Sequence, residues 1–565
     1  MAVTAPEHPG ALVERLDSLV ERVASRKDAW VREDIPARID YLRRTIQGVV
    51  AISDDWVRAT CDAKGIDLRS EFAGEEWFSG PMTTVRSLRL LLEALEAGGA
   101  PPPVRLRQRP DGQYVADVFP TNLRDRIMYS HMSVEVWIEP GHPPTQGRIY
   151  REKAQGIFPP GRTCLVLAAG NQSSIGPLDI VTKLFAEDEV CVVKMNPVNQ
   201  YLAPVFRKAF HALIDAGYVE IVEGGAEVGE HLCLHPGVDS IHLTGSDRTH
   251  DAIVWGTTPE EQARRKAAGD PRVAKHVTSE LGCVTPVLVV PGRWSDGAVE
   301  YHARNVASMV AHNASFNCNA AKVLVLARGW SQREHFLEKL HEVFGRLPAR
   351  RAYYPGAEER YHAFREQYPN ARVVGHTGPH VVPWTIIPNV PAHAGEYALT
   401  REAFCGILAE VSLDVGDDAL RFLREAVPFA NEHIWGSLSC MLIVDGRTRR
   451  RYRAQVENAI ASLRYGRIAV NVWAGVNFGI GQATWGAFPG NTLENIRSGR
   501  GVVHNTNLFD HPQKSVTRGP FRMWPTPIWF ADHRNLAELG RRATHFEASP
   551  SWLGLPAVAL AGMKG

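Results

Sequence analysis

The sequence lacks paired cysteines. Eight cysteines are spread over 565 residues, and no two of them form a CxxC pair. This spacing argues against a structural zinc site and against a dithiol redox motif, and so wide a scatter does not predict a disulfide framework. HExxH is missing too, so the 22 histidines do not show the ligand spacing of a zinc hydrolase. We therefore predict no metal site.

An excess of charge of one sign is also missing. The chain has 63 lysines and arginines against 62 aspartates and glutamates, so no overall field attracts nucleic acid or an anionic membrane. The most apolar stretch, SWLGLPAVALAGM, is too short to span a bilayer, and the first residues lack the pattern of a signal peptide. We predict a cytoplasmic enzyme with no membrane span and no nucleic-acid partner.

A chain of this length predicts two or more domains. Residues 11–99 carry apolar side chains at spacings of three and four, which predicts helices. In residues 133–155, the alternating Val134, Val136 and Ile138 precede a turn rich in Pro and Gly and then the segment RIYREK. This pattern predicts a β-hairpin.

From about residue 160, short apolar runs alternate with helical segments. The runs TCLVLAA, EVCVVKM, VEIVEGG and VDSIHLTGS are typical of buried parallel strands, and their alternation with helices predicts a right-handed, doubly wound sheet. The charged segment 251–277 predicts a helical insertion at the surface. A second α/β pattern runs from residue 283 to about 470, and residues 471–565 are rich in Gly, Trp and Pro.

Glycine-rich turns give a weak signal by themselves. The segment VEIVEGGAEVG follows a predicted strand and contains Gly225 and Gly229, but it is neither GxGxxG nor a P-loop. Both a nucleotide-binding turn and an ordinary strand-to-helix turn agree with it.

Six motifs in a fixed order are more specific. They are LVLAAGNQSSIGP, EVCVVKMNP, GGAEVGEHLCLHPGVDSIHLTGS, TSELGCVTPVLV, NASFNCNAAKV and REAFCGILAEV. The series resembles the aldehyde dehydrogenase superfamily, in which an Asn-bearing loop, a Lys-bearing strand end, a Thr-Gly-Ser block, Glu-Leu-Gly-Gly, a loop cysteine and Glu-x-Phe-Gly-Pro follow one another. The 23-residue interval from Asn171 to Lys194 also agrees with that family.

The resemblance implies three catalytic residues. Cys318 would be the nucleophile that forms a thiohemiacetal and then a thioester. Asn171 would donate its side-chain amide to the oxyanion, together with the backbone N–H of Cys318. Glu280 would be the general base for thioester hydrolysis, and its apolar surroundings predict a pKa raised by burial. Considered alone, these residues would be interpreted as a buried thiol, a turn residue and a surface charge.

The resemblance also implies a cofactor, NAD or NADP. Pro197 stands where many members have an acidic residue that holds the adenosine ribose, so the loss of that carboxylate admits the 2′-phosphate of NADP. The cofactor-binding residues that the resemblance implies are Lys194, Gly225, Gly229, Thr244, Gly245, Ser246, Leu281, Glu402 and Phe404.

Several positions depart from the family pattern. Cys283 replaces the second Gly of Glu-Leu-Gly-Gly, Cys405 with Gly406 replaces Gly-Pro, and His250 replaces a glycine after the Thr-Gly-Ser block. These departures indicate a divergent, bacterial-type member whose substrate cannot be carried over. We expect Cys283 to be a packed small residue rather than a second reactive thiol.

The expected fold is α/β and aldehyde dehydrogenase-like. We predict a Rossmann-type NAD(P)-binding domain from residues 1–132 and 156–282, and an α/β catalytic domain from residues 283–470. The hairpin at 133–155 and the tail at 471–565 would supply oligomer contacts, in a homodimer as the first expectation. The tail segment FRMWPTPIWF either lines a substrate tunnel or packs at a subunit interface.

The predicted function is NAD(P)-dependent oxidation of a small-molecule aldehyde to a carboxylic acid. One alternative is a CoA-linked relative in which CoA resolves the thioester, but this reaction has no use for the base Glu280. Another is a binding protein without catalysis, which the substitutions at glycine positions suggest. The joint presence of Asn171, Glu280, Cys318 and Glu402 argues against that second alternative.

Overall fold

The protein is described by a computed structural model that covers residues 9–129 and 131–565. Its strands are β1 (Arg105–Gln108), β2 (Tyr114–Phe119), β3 (Ser133–Ile138), β4 (Arg162–Leu167), β5 (Glu189–Lys194), β6 (Val219–Val222), β7 (Ser240–Gly245), β8 (His276–Leu281), β9 (Thr285–Val289), β10 (Ala321–Ala327), β11 (Arg372–Val373), β12 (Thr385–Ile387), β13 (Ile407–Leu413), β14 (Ser439–Ile443), β15 (Arg467–Val470), β16 (Trp485–Gly486), β17 (Gly499–Arg500), β18 (Val502–His504) and β19 (Pro512–Arg518).

Helices surround and connect these strands. They are α1 (Pro9–Ala24), α2 (Lys27–Arg32), α3 (Ile35–Ala51), α4 (Ser53–Lys64), α5 (Ala73–Trp77), α6 (Thr83–Glu96), α7 (Leu123–Met128), α8 (Arg148–Ala154), α9 (Ile175–Phe185), α10 (Ala203–Ala209), α11 (His211–Asp215), α12 (Ala226–Leu234), α13 (Asp247–Val254), α14 (Pro259–Ala268), α15 (Asp296–Ala311), α16 (Arg333–Arg346), α17 (Ala357–Gln367), α18 (Tyr397–Thr400), α19 (Ala419–His433), α20 (Gly446–Arg451), α21 (Arg453–Ser462), α22 (Val476–Ile480), α23 (Leu536–Ala548) and α24 (Leu555–Gly562). Phe78–Met82 forms a π-helical turn, and Gln200–Leu202 and His312–Ser315 form 3₁₀ turns.

A six-stranded sheet forms the centre of the predicted cofactor domain. Its order is β17-β8-β7-β4-β5-β6, and every neighbouring pair is parallel except β17 with β8. Strand β5 is buried along its whole length, and every residue of the crossover helix α9 is buried as well. Continuous burial of strand and helix is what a doubly wound sheet requires, so the predicted α/β class is confirmed.

The second sheet has eleven strands and extends beyond the predicted catalytic domain. Its order is β1-β2-β3-β19-β15-β14-β9-β10-β13-β12-β11. Pairing is parallel from β19 through β12 and antiparallel at both ends. The site described below lies between this sheet and the six-stranded one.

The predicted hairpin at 133–155 is wrong in its second half. Residues 133–138 form β3 as expected, but the segment RIYREK belongs to helix α8. Gly147 precedes this helix at a φ of 63°, and a Cβ there would lie 2.0 Å from the carbonyl oxygen of Gly99. The adjacent Ile149 and Tyr150 are both buried, and the Tyr150 hydroxyl donates to the Phe185 carbonyl. Burial of these neighbours against the cofactor domain overrides the strand pattern.

The strand partners also correct two predicted boundaries. The sequence predicts residues 105–119 in the cofactor domain, but β1 and β2 join the eleven-stranded sheet because β2 pairs with β3. The sequence predicts the tail as a separate segment, but its strand β19 pairs with β15 of the same chain, with Arg467 opposite Ser515. The predicted oligomerisation elements are therefore built into the chain's own sheet.

The surface and tail elements complete the description. Helix α14 lies in the predicted charged insertion and has no buried residue. In the tail, α23 packs against α5 and α6 of the N-terminal helices. Across residues 9–129 and 131–565, no helix has both the length and the apolar character needed to cross a membrane.

A buried ion pair holds the tail against the N-terminal helices. The Glu547 carboxylate accepts hydrogen bonds of 2.6 Å from both Arg86 and Arg89, and it is 2% exposed. We expect Glu547→Ala to lower the free energy of unfolding by about 3 kcal/mol, because it removes the buried carboxylate that both guanidinium groups share and leaves them only Asp125 and Glu93. Urea denaturation measures this change. Glu538→Ala, on the same helix but paired with exposed arginines, should cost less than about 1 kcal/mol, and equal losses would contradict the role of Glu547.

Candidate active site

Cys318 follows a strained turn between α15 and β10. Asn313, Ala314 and Ser315 have φ angles of 53°, 52° and 73°, a left-handed conformation that non-glycine residues adopt at a cost. Cys318 is half-buried, whereas the other seven cysteines are buried. The turn therefore presents one accessible thiol.

Glu280 lies beside this thiol, at the end of β8. Its carboxyl group is a hydrogen-bonding neighbour of the Cys318 thiol, and its Oε1 accepts from Trp485 Nε1 at 3.2 Å. Glu280 is 3% exposed, and this burial raises its pKa, as the sequence predicted. The carboxyl group is thus held close to the thiol in a poorly hydrated position.

Asn171 lies on the loop after β4 and reaches across to the loop that carries Cys318. Its Nδ2 donates to the Phe316 carbonyl at 3.0 Å, two residues before the thiol. An amide nitrogen carries two N–H groups, so the second remains for a ligand at Cys318. The structure therefore brings the three predicted catalytic residues together.

The Cys318 thiol holds its proton strongly in the free protein. Its pKa is raised well above the ordinary value, first by burial and then by the neighbouring Glu280 carboxylate, while Arg467 acts in the opposite direction. The side chain is therefore a thiol at neutral pH, and its activation requires the proton to leave.

Arg467, at the start of β15, is a site residue that the sequence interpretation missed. It is fully buried, its guanidinium lies 3.2 Å from the Trp485 ring centroid, and its Nε and Nη2 have no hydrogen-bond partner among the described residues. Burial lowers its pKa to about 10, and the neighbouring Cys318 and Glu280 partly offset this. A basic residue inside the apolar strand pattern RIAVNVW was the available signal.

A second group of residues that the sequence did not predict surrounds the backbone of the Asn171 loop. Lys64 Nζ lies 2.9 Å from Glu76 Oε1 and 2.9 Å from Asn313 Oδ1. The Tyr353 hydroxyl oxygen lies 2.9 Å from the Asn171 carbonyl oxygen and 3.0 Å from Asn313 Oδ1, and its one proton can be donated to either acceptor. These contacts join the backbone of the Asn171 loop to the strained turn. Lys64 and Glu76 come from N-terminal helices that carry no family motif.

A cleft of about 700 Å³ lies over the carboxyl ends of the six-stranded sheet. It is lined by eight of the nine predicted cofactor-binding residues, which are Lys194, Gly225, Gly229, Thr244, Gly245, Ser246, Glu402 and Phe404. The ninth, Leu281, is fully buried and packs in the core beneath the cleft, while the adjacent Gly282 lines the cleft.

The cleft has features that suit a dinucleotide. Helix α12 begins after Gly225 without a side-chain cap, and such a helix end favours a phosphate group. A Cβ at Gly229 would meet no atom within 4 Å, so this position leaves open space. Lys194 and Arg248 add positive charge, and Pro197 puts no carboxylate at its position. These residues fit NAD, and they also admit the additional phosphate of NADP.

The Glu402 side chain leaves no room for any residue larger than glycine at position 282. A Cβ at Gly282 would lie 1.9 Å from Glu402 Oε2, and the Cys283 N–H donates to Glu402 at 3.3 Å. Burial raises the pKa of Glu402 to about 8, and the charge of Lys322 opposes this shift. The Cys283 thiol is fully buried near the Ser439 carbonyl, as expected of a packed small residue.

A second cavity, of about 400 Å³, approaches Cys318 from another side. Four residues line both spaces, namely Asn171, Thr244, Glu280 and Cys318. The tail segment from Met523 to Trp529 forms part of its wall, so this part of FRMWPTPIWF lines the cavity beside the thiol. Among the described residues, no group of three or more His, Cys, Asp or Glu is arranged to hold a metal ion.

Comparisons with known proteins agree with this arrangement. The sequence model of the aldehyde dehydrogenase family matches residues 179–356. An N-succinylglutamate 5-semialdehyde dehydrogenase of Novosphingobium aromaticivorans is 30% identical over 148 residues, 26% of this chain and 28% of that protein. The protein of the same name from Ectopseudomonas mendocina is 25% identical over 193 residues, 34% of this chain and 32% of that protein. The matches thus span about a third or less of these curated relatives.

Solved structures share the fold over most of the chain. An indole-3-acetaldehyde dehydrogenase in complex with NAD⁺ gives a TM-score of 0.60 at 17% identity, covering 89% of this chain and 88% of that one. An NADP-dependent enzyme of E. coli gives the same TM-score and identity, covering 90% of each chain. The aldehyde dehydrogenase-like fold is therefore confirmed. Residues 179–356 thus resemble the aldehyde dehydrogenase family in sequence, and most of the chain resembles aldehyde dehydrogenases in fold.

The raised pKa of Cys318 predicts how the thiol reacts. We expect the rate of iodoacetamide alkylation to rise with pH and to continue rising above about 8.5, the ordinary thiol value, because a raised pKa delays thiolate formation. Peptide mass spectrometry should locate the label on Cys318, since the other cysteines are buried.

The contribution of Glu280 is tested by the same reaction. Glu280→Gln removes a negative charge that raises the pKa of Cys318, so alkylation at pH 8 should become faster. Glu230→Gln, at another carboxylate of the cofactor cleft, is the matched control and should leave the rate unchanged. A slower reaction in Glu280→Gln would contradict the electrostatic coupling.

Proposed function

We propose that the protein oxidises an aldehyde to a carboxylic acid with NAD or NADP. The main support for this proposal is that the cofactor cleft and the second cavity meet at the Cys318 thiol. A cleft that fits a dinucleotide and a separate cavity both end at Cys318, Asn171 and Glu280. This arrangement allows a carbonyl carbon bound to Cys318 to lie close to a cofactor.

Cys318 begins the proposed reaction by attacking the aldehyde carbonyl. Its proton must leave to solvent as the carbon–sulfur bond forms, which the half-buried position of Cys318 allows. The carbonyl oxygen becomes an oxyanion, which the free N–H of Asn171 and the backbone N–H of Cys318 would stabilise. The product of this step is a thiohemiacetal.

When bound, NAD or NADP would supply the hydride acceptor. Thr244, Gly245 and Ser246, at the end of β7, and Lys194 would hold the adenosine half, and Glu402 and Phe404 would hold the nicotinamide half. Loss of the hydride converts the thiohemiacetal into a thioester on Cys318. Arg467 supplies buried positive charge near the sulfur and Glu280 during these changes of charge.

Glu280 would then activate water against the thioester. Its raised pKa places it closer to neutrality than an exposed glutamate, which suits a general base. The same position supports the hydrolytic route over the CoA-linked alternative. Formation of NAD(P)H from an aldehyde without CoA tests this choice, and strict dependence on CoA would reject the hydrolytic route.

A binding protein without catalysis remains the other candidate class. The strained turn, the accessible Cys318 and the buried Glu280 beside it favour an enzyme, because a passive binding site has no need for these features. Failure of both NAD and NADP to raise the melting temperature of the protein would favour the binding class.

Substitutions should separate the proposed roles. We expect Cys318→Ser to abolish NAD(P)H formation, because a hydroxyl is a far weaker nucleophile than a thiol. Asn171→Ala should lower kcat by roughly 10²–10³, the typical loss for one oxyanion donor. Steady-state absorbance at 340 nm measures both changes. Turnover by Cys318→Ser at the native rate would contradict the mechanism.

Glu280→Gln should block the last step without preventing the first turnover. Stopped-flow mixing with aldehyde and cofactor should show a burst of up to one NAD(P)H per site, followed by little further turnover, because the thioester accumulates. Glu342→Gln, at a carboxylate that pairs with Lys339 and lines neither space, is the control. A variant with no burst but an intact slow steady rate would assign Glu280 to the attack instead of to hydrolysis.

A further inference from the structure

The cavity beside Cys318 has a polar end and an apolar body. The polar end contains Asn171, Glu280 and Cys318, where the aldehyde group would react. The rest of the wall is mostly apolar, including Met82, Met132, Phe478, Met523, Ile528 and Leu539. Such a distribution is typical of a site that orients one reactive group and buries an apolar remainder.

We infer that the substrate is an uncharged aldehyde with a long apolar chain, of about eight to twelve carbons. This inference rests on the proposed function and adds the substrate class. The cavity has a volume of about 400 Å³. If each methylene or methyl group of a substrate occupies about 30 Å³, as a water molecule does in the liquid, the cavity holds roughly a dozen such groups. A two- or three-carbon aldehyde would leave most of this apolar wall without a partner.

The charges around the cavity argue against an anionic substrate. Among its described lining residues there is no lysine or arginine. The three histidines that line it, His312, His504 and His533, have pKa values lowered by burial, so they are neutral at pH 7. Without a cation, a second carboxylate on the substrate would be buried unpaired, which is costly.

Glu75 places a carboxylate in the wall of the same cavity. The Arg350 guanidinium lowers its pKa to about 2 despite its burial, so it is ionised. Arg350 itself does not line the cavity and is already paired with Glu75 at 2.9 Å. The semialdehyde named for the two curated relatives carries carboxylate groups, and this wall offers them no partner.

The tail of the chain encloses the apolar body of the cavity. Leu536, Leu539 and Ala543 of α23 and Val558 of α24 line it. Ile127, Trp524 and Met563 line it as well and are 48%, 76% and 48% exposed. These exposed apolar side chains mark the side from which the alkyl chain of a substrate could enter. Exposed apolar side chains at the mouth of a pocket are typical of sites that bind apolar ligands. The chain thus builds an apolar passage from its own tail.

A series of saturated linear aldehydes tests the substrate class. We expect kcat/KM to rise about fourfold for each methylene from propanal to about decanal, which corresponds to full burial of each added group. Butanal should exceed succinic semialdehyde, of equal carbon number, by at least tenfold, and the methyl ester of succinic semialdehyde should recover most of that loss. Concentrations stay below the micellar range.

The outcomes separate this inference from the proposed function. A flat profile, or a preference for succinic semialdehyde over butanal, overturns the substrate class while aldehyde oxidation stands. Absence of NAD(P)H with every aldehyde, together with no thioester on Cys318, overturns the proposed function and the inference with it.

A pair of variants on helix α7 tests whether this cavity determines the preference for long apolar aldehydes. Ile127 lines the cavity, whereas Leu123 on the same helix is 58% exposed and does not line it. We expect Ile127→Lys to lower the ratio of kcat/KM for decanal to that for propanal by at least tenfold and to improve succinic semialdehyde. Leu123→Lys should leave the profile unchanged. Equal profiles in the two variants would locate the preference elsewhere and overturn the assignment.

Discussion

The contact between two loops is the constraint on which the site depends. The Asn171 loop follows a strand of the six-stranded sheet, and the Cys318 loop precedes a strand of the eleven-stranded sheet. Hydrogen bonds from Asn171 to Phe316, and from Tyr353 and Asn313 to the Asn171 carbonyl, join them. Because each sheet is rigid and buried, this junction fixes thiol, amide and carboxyl group relative to one another.

Burying charged side chains at this junction is unfavourable for folding, and residues from several elements offset part of that free energy. Glu280, Cys318 and Arg467 come from different strands or loops, and the structure keeps the guanidinium over Trp485 instead of in a close ion pair. Arg467 is thus a buried cation whose charge is left to act on the sulfur and the carboxyl group. Partial compensation of this kind is unfavourable for folding, and it is typical of sites that change charge during a reaction.

Local patterns predicted the sheets and the motif-bearing residues well. Strands with continuous apolar runs lie where expected, and eight of the nine residues predicted to bind the cofactor line one cleft. The segment RIYREK failed because burial of Ile149 and Tyr150 overrode its pattern, and Lys64 and Arg467 were missed because their roles come from contacts distant in sequence. The tail pattern predicted no particular helices or strands, because the apolar residues of the tail pack against the N-terminal helices and line the cavity, contacts that no local pattern reveals.

The central claim is that aldehyde oxidation passes through a covalent bond to Cys318. Acid quenching of the native protein during turnover with an aldehyde and NAD or NADP, followed by peptide mass spectrometry, tests it most directly. The account predicts an acyl group of the substrate's mass on Cys318 and on no other cysteine. NAD(P)H formation with Cys318 unmodified, or with the acyl group on another residue, would contradict it.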